Sequence, residues 1–143
     1  MHATDASDDR RLTLVVAAYN EAEALPLLQA RIAPVLDALA QDAGIVGRVL
    51  YVDDGSRDAT WQVMQRLAAQ DARIGLLRLS RNFGKEAALT AGLDHVDAGA
   101  ALILDADGQD PPELIPQFVA KWREGHDDVH GTRLVRDRRP ITR

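Results

Sequence analysis

The chain has 143 residues, 46% of them hydrophobic, and a formal net charge of −5 at pH 7. These values are those of a soluble globular domain that is large enough to bury a core. The acidic balance argues against general nucleic-acid binding, and the absence of cysteine excludes disulfides and thiolate metal sites. No apolar run approaches the roughly 18 residues that a membrane span needs.

The two ends of the chain differ in composition from its middle. Residues 1–11 are polar and acidic, which predicts a disordered lead-in and not a signal peptide. Residues 136–143 form an arginine-rich tail. Two interpretations of that tail stay open: a solvated segment, or one that meets phosphates or an acidic membrane surface. The globular domain is predicted over residues 12–135.

Apolar, β-prone runs recur along that domain and predict strands. Four of them occupy residues 12–17, 48–52, 74–79 and 100–104. A fifth strand is expected to begin within residues 128–132. These runs are nearly continuous in apolar residues, as strands buried on both faces of a sheet are.

A long helix is predicted between the first two strands. Apolar residues recur there at helical spacing from Leu28 to Leu39. Pro26 is placed to open this helix. Pro34 lies inside the pattern and lacks a backbone N–H, so a kink or break is expected at that point.

Start signals predict where three further helices begin. Ser56 or Asp58 is expected to start a helix whose apolar stripe runs through residues 61–68. Residues 85–94 are predicted to form the next helix. Asp110 is expected to cap a fourth, with proline as its first residue and glutamate three residues past the cap.

Strand–helix alternation at this spacing predicts an α/β fold with a mostly parallel sheet flanked by helices. The polar segments 19–21, 53–56 and 105–113 follow the first, second and fourth predicted strands. Because parallel strands end at one edge of a sheet, these segments are expected to converge there. Their mutual repulsion is costly unless a cation or a donor-rich ligand neutralises it.

The segment after the fourth strand carries the most specific chemistry. If the chain stays extended, Asp105, Asp107 and Gln109 point to one side, because side chains alternate along a strand. Three oxygen-bearing side chains suit a hard cation such as Mg²⁺ or Mn²⁺. A metal at a sheet edge predicts phosphate chemistry, since open α/β sheets bind ligands at that edge.

Three other kinds of site use a similar acidic pattern. A calcium loop of the EF-hand type needs glycine sixth and an acid twelfth, whereas Gly108 is fourth and Pro116 twelfth. A haloacid-dehalogenase-like phosphatase places its nucleophilic aspartate near the N-terminus, with a lysine and further acids far downstream. A receiver domain needs its acidic pair after the first strand, and here the pair follows the second. The sequence therefore fits the phosphatase and receiver-domain interpretations less well than it fits a metal–diphosphate site.

Two further segments have both a structural and a functional interpretation. The Asp53–Asp54 pair suits a turn with a helix cap, or carboxylates that accept hydrogen bonds from a base or ribose. Gly84 and Lys85 suit the end of a loop and the start of a helix. In the functional interpretation, Lys85 contacts a diphosphate. Neither a Gly-x-Gly-x-x-Gly motif nor a phosphate-binding P-loop is present.

Four segments in this order resemble family 2 glycosyltransferases of the GT-A fold. They are Val-Val-Ala-Ala-Tyr-Asn-Glu at 15–21, Val-Asp-Asp-Gly-Ser at 52–56, Asn-Phe-Gly-Lys at 82–85 and Asp-Ala-Asp-Gly-Gln-Asp-Pro-Pro-Glu at 105–113. Within that family the chain is similar to the polyprenyl-phosphate sugar synthases. The resemblance implies that relatives continue past Arg143, so the domain is expected to be incomplete.

The resemblance also implies roles for individual residues. It assigns nucleotide binding to Tyr19, Glu21 and Asp53, metal binding to Asp105, Asp107 and Gln109, and a phosphate contact to Arg133. Asp105 and Asp107 count as catalytic in this scheme because the metal that they hold carries the donor diphosphate.

The implied reaction is metal-dependent transfer of a sugar from a nucleotide diphosphate to a polyprenyl phosphate, with inversion at the anomeric carbon. It is expected at the cytoplasmic face of a membrane, through peripheral contact. Two alternatives stay open: a non-catalytic nucleotide-sugar-binding fragment and a haloacid-dehalogenase-like phosphatase.

Overall fold

A computed structural model describes residues 10–107 and 109–124 in full, and the backbone of residues 134–135. Five strands lie in these parts of the chain: β1 (Arg11–Ala18), β2 (Val46–Asp53), β3 (Ile74–Arg78), β4 (Ala100–Asp105) and β5 (Leu134–Val135). They form one sheet in the order β3-β2-β1-β4-β5. The first four strands are parallel, and β5 pairs antiparallel with β4.

Helices cover both faces of this sheet. They are α1 (Ala24–Ala43), α2 (Thr60–Gln70), α3 (Lys85–Asp94) and α4 (Ile115–Arg123), the last preceded by a 3-10 turn at Pro112–Leu114. α1, α2 and α4 pack on one face, and α3 packs on the other. None of these helices is long and apolar enough to cross a bilayer.

The central strand β1 is buried on both faces. Leu14 and Val16 join the apolar cluster under α1, whereas Val15 joins the cluster under α3. All three side chains are inaccessible to solvent, which explains why the strand is continuously apolar in sequence. Because β1 lies between β2 and β4, the ends of these three strands form one short edge.

The predicted mostly parallel α/β sheet is confirmed. The four predicted strands agree with the observed ones to within two residues at each end, and α3 has its predicted bounds. Arg11, the last residue of the lead-in predicted at 1–11, instead begins β1. Residues 1–9 of that lead-in, the expected start of the fifth strand at 128–132 and the tail at 136–143 lie outside the described residues, so these assignments stay predictions.

Of the kink or break expected at Pro34, the break is wrong, because α1 continues through the proline as one helix, and the kink stays a prediction. Pro34 and the residue whose carbonyl loses its partner, Ala30, are both exposed. The freed carbonyl therefore belongs to a part of the helix that faces solvent, where water can take the place of the lost donor. Ile32 and Val35, on either side of the proline, are buried against the sheet and hold the helix in place.

The expected capping of the fourth helix by Asp110 is also wrong. The chain enters α4 through the 3-10 turn, with Pro111 in the cap position and no side-chain cap hydrogen bond. Glu113 does not bond back towards the cap. Its carboxylate accepts hydrogen bonds from Arg31 Nε at 3.1 Å and from an Arg31 terminal nitrogen at 2.6 Å, which ties the turn to α1.

Gly55, which follows β2, lies against the backbone that follows β3. Its φ is +70°, and a Cβ there would stand 2.3 Å from the carbonyl carbon of Arg81 and 2.4 Å from the nitrogen of Asn82. Gly44, at the end of α1, has a similar φ of +67° but nothing within 4 Å. Gly55 therefore permits a close approach of two chain segments in addition to an unusual φ.

We predict that Gly55→Ala destabilises the fold far more than Gly44→Ala. Both substitutions incur the left-handed backbone cost of about 1–2 kcal/mol. Gly55→Ala adds a clash with backbone atoms that cannot rotate away, worth about another 1–3 kcal/mol. Urea denaturation followed by circular dichroism measures both free energies of unfolding. Equal losses in the two variants would show that the close approach is absent.

Candidate functional site

A cavity of about 160 Å³ opens where β1 and β4 end. The chain goes from β1 to β2 on one side, while β4 lies on the other side of β1. Open α/β sheets bind ligands at such a change of strand direction. Six of the residues predicted for the site line this cavity: Tyr19, Glu21, Asp54, Lys85, Asp105 and Asp107.

Asn20 fixes the loop that carries Tyr19. It has a φ of +56°, which asparagine tolerates better than most residues. Its side-chain Oδ1 accepts hydrogen bonds from the backbone amides of Arg57 at 2.9 Å and Asp58 at 3.3 Å. Its backbone amide donates a hydrogen bond to Ser56 Oγ at 2.9 Å. These bonds join the loop after β1 to the loop after β2 and leave Tyr19 41% exposed at the cavity.

A second link holds Glu21 to the start of α2. The Glu21 amide donates to Thr60 Oγ1 at 2.9 Å. The amide and hydroxyl of Thr60 both donate to the carboxylate of Asp58. Of the two start signals predicted for this helix, Asp58 is therefore the one that bonds to its first residue.

Asp53 lies beneath the cavity and does not line it. Its side chain has no exposed area, and its Oδ1 accepts a hydrogen bond from the Ser56 amide at 2.9 Å. Its Oδ2 has no hydrogen-bond partner among the described residues, and Arg78 Nε stands 3.7 Å away. Asp53 shapes the turn that carries Asp54, and its predicted contact with a nucleotide stays a prediction.

Asp54 links the end of β2 to the start of α3. Its nearly buried carboxylate accepts hydrogen bonds from the Phe83 amide at 2.9 Å, the Gly84 amide at 3.1 Å and Asn82 Nδ2 at 3.1 Å. Gly84 precedes the first residue of α3, Lys85. The carboxylate therefore positions the backbone from which Lys85 reaches the cavity, a role that the sequence does not indicate.

Lys85 and Asp105 form an ion pair across the cavity. The distance from Lys85 Nζ to Asp105 Oδ1 is 2.7 Å. The side chain of Lys85 is 61% exposed and that of Asp105 is 26% exposed. The hydrogen bond to Asp105 raises the pKa of Lys85, and the negative charges of Asp107 and Glu86 contribute to the same rise. Lys85 is therefore firmly protonated at neutral pH.

The chain turns after β4, so the extended segment on which the alternation argument depended is absent. Residues 106–107 form a turn, and Asp107 Oδ1 accepts a hydrogen bond from the Gln109 amide at 3.1 Å. Asp110 lies close by. Burial raises its pKa first, followed by the negative charges of Asp105 and Asp107. The acidic groups are therefore kept together by a turn, whereas the sequence pattern predicted an extended segment.

Two of the three residues predicted to bind a metal lie at the cavity. Among the described residues no group of three or more His, Cys, Asp or Glu side chains is arranged to hold a metal. Of the three predicted metal ligands, Asp105 and Asp107 line the cavity, whereas Gln109 is exposed and does not line it, so its role stays a prediction. Oxygen donors of this kind fit Mg²⁺ or Mn²⁺, which commonly complete their coordination with substrate phosphates and water. Arg133, the predicted phosphate contact, lies outside the described residues.

Comparison with known proteins shows the family to which the chain is similar. Residues 13–141 match the family described as Glycosyl transferase family 2. An uncharacterized glycosyltransferase of Synechocystis sp. is 44% identical over 125 residues, which are 87% of this chain and 38% of the relative. The bactoprenol glucosyl transferase of Shigella phage SfX is 39% identical over 88% of this chain and 40% of its own length.

A third relative is the undecaprenyl-phosphate 4-deoxy-4-formamido-L-arabinose transferase of Salmonella paratyphi B. It is 38% identical over 92% of this chain and 39% of its own length. The chain thus spans about two fifths of the length of these curated relatives.

Solved structures share the fold. Residues 1–349 of TarS from S. aureus superpose with a TM-score of 0.62 at 22% identity, over 82% of this chain and 34% of that one. The mannosyltransferase PcManGT from Pyrobaculum calidifontis, in complex with GDP-Man and Mn²⁺, gives a TM-score of 0.52 at 29% identity. It covers 68% of this chain and 27% of its own. The sheet and its flanking helices are therefore those of GT-A glycosyltransferases.

We predict that Asp54→Asn destabilises the protein by about 1–3 kcal/mol, because an NH₂ group then faces a hydrogen-bond donor in a nearly buried site. Asp97→Asn is the matched control. Asp97 is exposed and lies near the amino ends of β1 and β2, so its loss of charge should leave stability nearly unchanged. Urea denaturation compares the two variants. Equal stability would show that the Asp54 carboxylate does not hold the loop before α3.

Proposed function

We propose, for a chain that belongs to glycosyl transferase family 2, that the cavity at the ends of β1 and β4 binds a nucleotide diphosphate sugar for glycosyl transfer. The observation that carries this proposal is the convergence of Tyr19, Asp54, Lys85 and the Asp105 segment on one cavity. The ring of Tyr19 suits the nucleoside, the ammonium group of Lys85 suits the diphosphate, and the carboxylates suit the counter-ion of the diphosphate.

The nucleoside is proposed to lie on the side of the cavity formed by β1 and β2. The half-exposed ring of Tyr19 offers a face on which a base can stack. Glu21 and Asp54 line the same cavity and can accept hydrogen bonds from a base or ribose. Asp53, buried behind them, is proposed to support this end of the site through the turn that it holds.

The diphosphate is proposed to lie beside the segment that follows β4. Asp105, Asp107 and Gln109 would hold a divalent cation there. Such a cation supplies Lewis acidity to a diphosphate whose negative charge grows as the sugar leaves. The Pyrobaculum mannosyltransferase, whose structure contains Mn²⁺ together with GDP-Man, supports divalent metal use. Lys85, at the opening of the cavity, adds a charged donor for the phosphate oxygens.

The acceptor is proposed to be a polyprenyl phosphate. Two relatives are named for transfer involving bactoprenol or undecaprenyl phosphate. A phosphate oxygen is already anionic at neutral pH, so its attack on the anomeric carbon demands less of a general base than a hydroxyl would. A single displacement by that oxygen inverts the anomeric carbon. We place the reaction at the cytoplasmic face of a membrane, with Arg133 as a further phosphate contact.

A second candidate function is nucleotide-sugar binding without catalysis. Incubation with a radiolabelled donor and a short polyprenyl phosphate separates the two candidates: a labelled lipid product requires catalysis by this chain. No observation favours the phosphatase alternative.

We predict that UDP, GDP or dTDP stabilises the protein only with Mn²⁺ or Mg²⁺. Binding of a ligand at a hundredfold excess over its dissociation constant raises the free energy of unfolding by about 2.7 kcal/mol. Asp107→Asn should abolish the metal-dependent part of this gain, because it removes a charged ligand. Asp97→Asn is the control and should keep the whole gain. Thermal unfolding with and without excess chelator measures each case.

Two results would contradict the proposal. One is a nucleotide-induced shift that excess chelator leaves unchanged, which would remove the metal from the site. The other is equal metal-dependent stabilisation of Asp107→Asn and the native protein, which would place the cation elsewhere.

A further inference from the structure

The carboxylate that is proposed to bind the metal already holds a positive charge from the protein itself. Lys85 Nζ lies 2.7 Å from Asp105 Oδ1, within the range of a charge-assisted hydrogen bond. That oxygen cannot bind an ammonium group and a divalent cation at the same distance. A metal on Oδ1 would displace the ammonium group, and a metal on the neighbouring Oδ2 would repel it, so metal binding at Asp105 and this ion pair oppose each other.

Lys85 is built to move while its backbone stays fixed. Asp54 binds the amide of Gly84 and so anchors the start of α3. The side chain of Lys85 is 61% exposed and has a flexible four-carbon stem. It can leave Asp105 without any change in the fold. Because the Cα of Lys85 does not move, the freed ammonium group stays within reach of the cavity that this residue lines.

We propose that Lys85 is a resident counter-ion: it neutralises Asp105 in the donor-free protein and transfers to the donor diphosphate when the metal takes its place. This inference rests on the proposed function. It gives a reason for metal and donor to bind together. The metal alone must displace Lys85 without offering it a new partner, whereas the metal–diphosphate complex brings the anion that accepts it. Such coupling is reciprocal between the two ligands.

The test is the affinity for Mn²⁺ of Lys85→Met, measured by electron paramagnetic resonance of the free ion. Without nucleotide, Lys85→Met should bind Mn²⁺ about twofold to fivefold more tightly than the native protein, the range expected for a partly exposed ion pair. With the nucleoside diphosphate that stabilises the protein, chosen from UDP, GDP and dTDP, the same variant should bind less tightly than the native protein. A merely structural role for Lys85 does not produce this reversal.

Two variants serve as controls. Lys121, the second of the two lysines in the sequence, is exposed on α4. Lys121→Met therefore removes the same charge away from the cavity and should leave both affinities unchanged. Lys85→Arg keeps the charge beside Asp105 and should not tighten Mn²⁺ binding in the absence of nucleotide.

The outcomes separate this inference from the proposed function. If the native protein binds Mn²⁺ through Asp107 but Lys85→Met binds Mn²⁺ alone equally or less tightly, the counter-ion role is wrong and the metal site stands. If neither protein binds Mn²⁺ with or without a nucleotide, the metal site is wrong and the counter-ion role falls with it. The reversal of affinity in Lys85→Met supports both.

Discussion

The parallel register of β1 with its two neighbours is the constraint on which the site depends. Ala18 stands opposite Asp53 on one side, and Ala17 stands opposite Asp105 on the other. Three polar loops therefore begin at nearly the same height, and the acidic residues that they carry must share a small volume. A shift of register would separate these residues, so the packing of β1 on both faces also determines the geometry of the site.

The acidic residues at this edge differ in their burial and in the groups that bind their carboxylates. Asp53 is buried and accepts a hydrogen bond from the turn that follows it, and Asp54 accepts three donors from the loop before α3. Asp105 is neutralised by Lys85. Asp107 stays exposed at the mouth of the cavity. Asp53 and Asp54 thus maintain the shape of the site, and Asp54 also lines the cavity. Asp105 and Asp107 carry the charge that is proposed to hold the cation.

Much of the fold could be predicted from the sequence because buried parallel strands are apolar throughout and end abruptly at polar residues. The same rule predicted that the polar loops after β1, β2 and β4 converge at one edge of the sheet, where the cavity lies. What failed depended on tertiary context: exposure decided the effect of Pro34, and Arg31, far away in sequence, diverted Glu113 from the cap. The sequence also did not predict that Asn20 and Asp54 each bind several hydrogen-bond partners, because those partners belong to loops that follow other strands.

The central claim is that the cation and the diphosphate meet beside the segment that follows β4. Paramagnetic broadening of amide signals in a ¹⁵N-labelled sample tests it most directly. With a nucleoside diphosphate present, traces of Mn²⁺ should first broaden the amides of Asp107, Gln109 and Tyr19, because broadening falls steeply with distance. The amides of Arg48 and Asp97, at the opposite edge of the sheet, should stay sharp. Broadening centred at that opposite edge, or spread evenly over the acidic surface, would contradict the account.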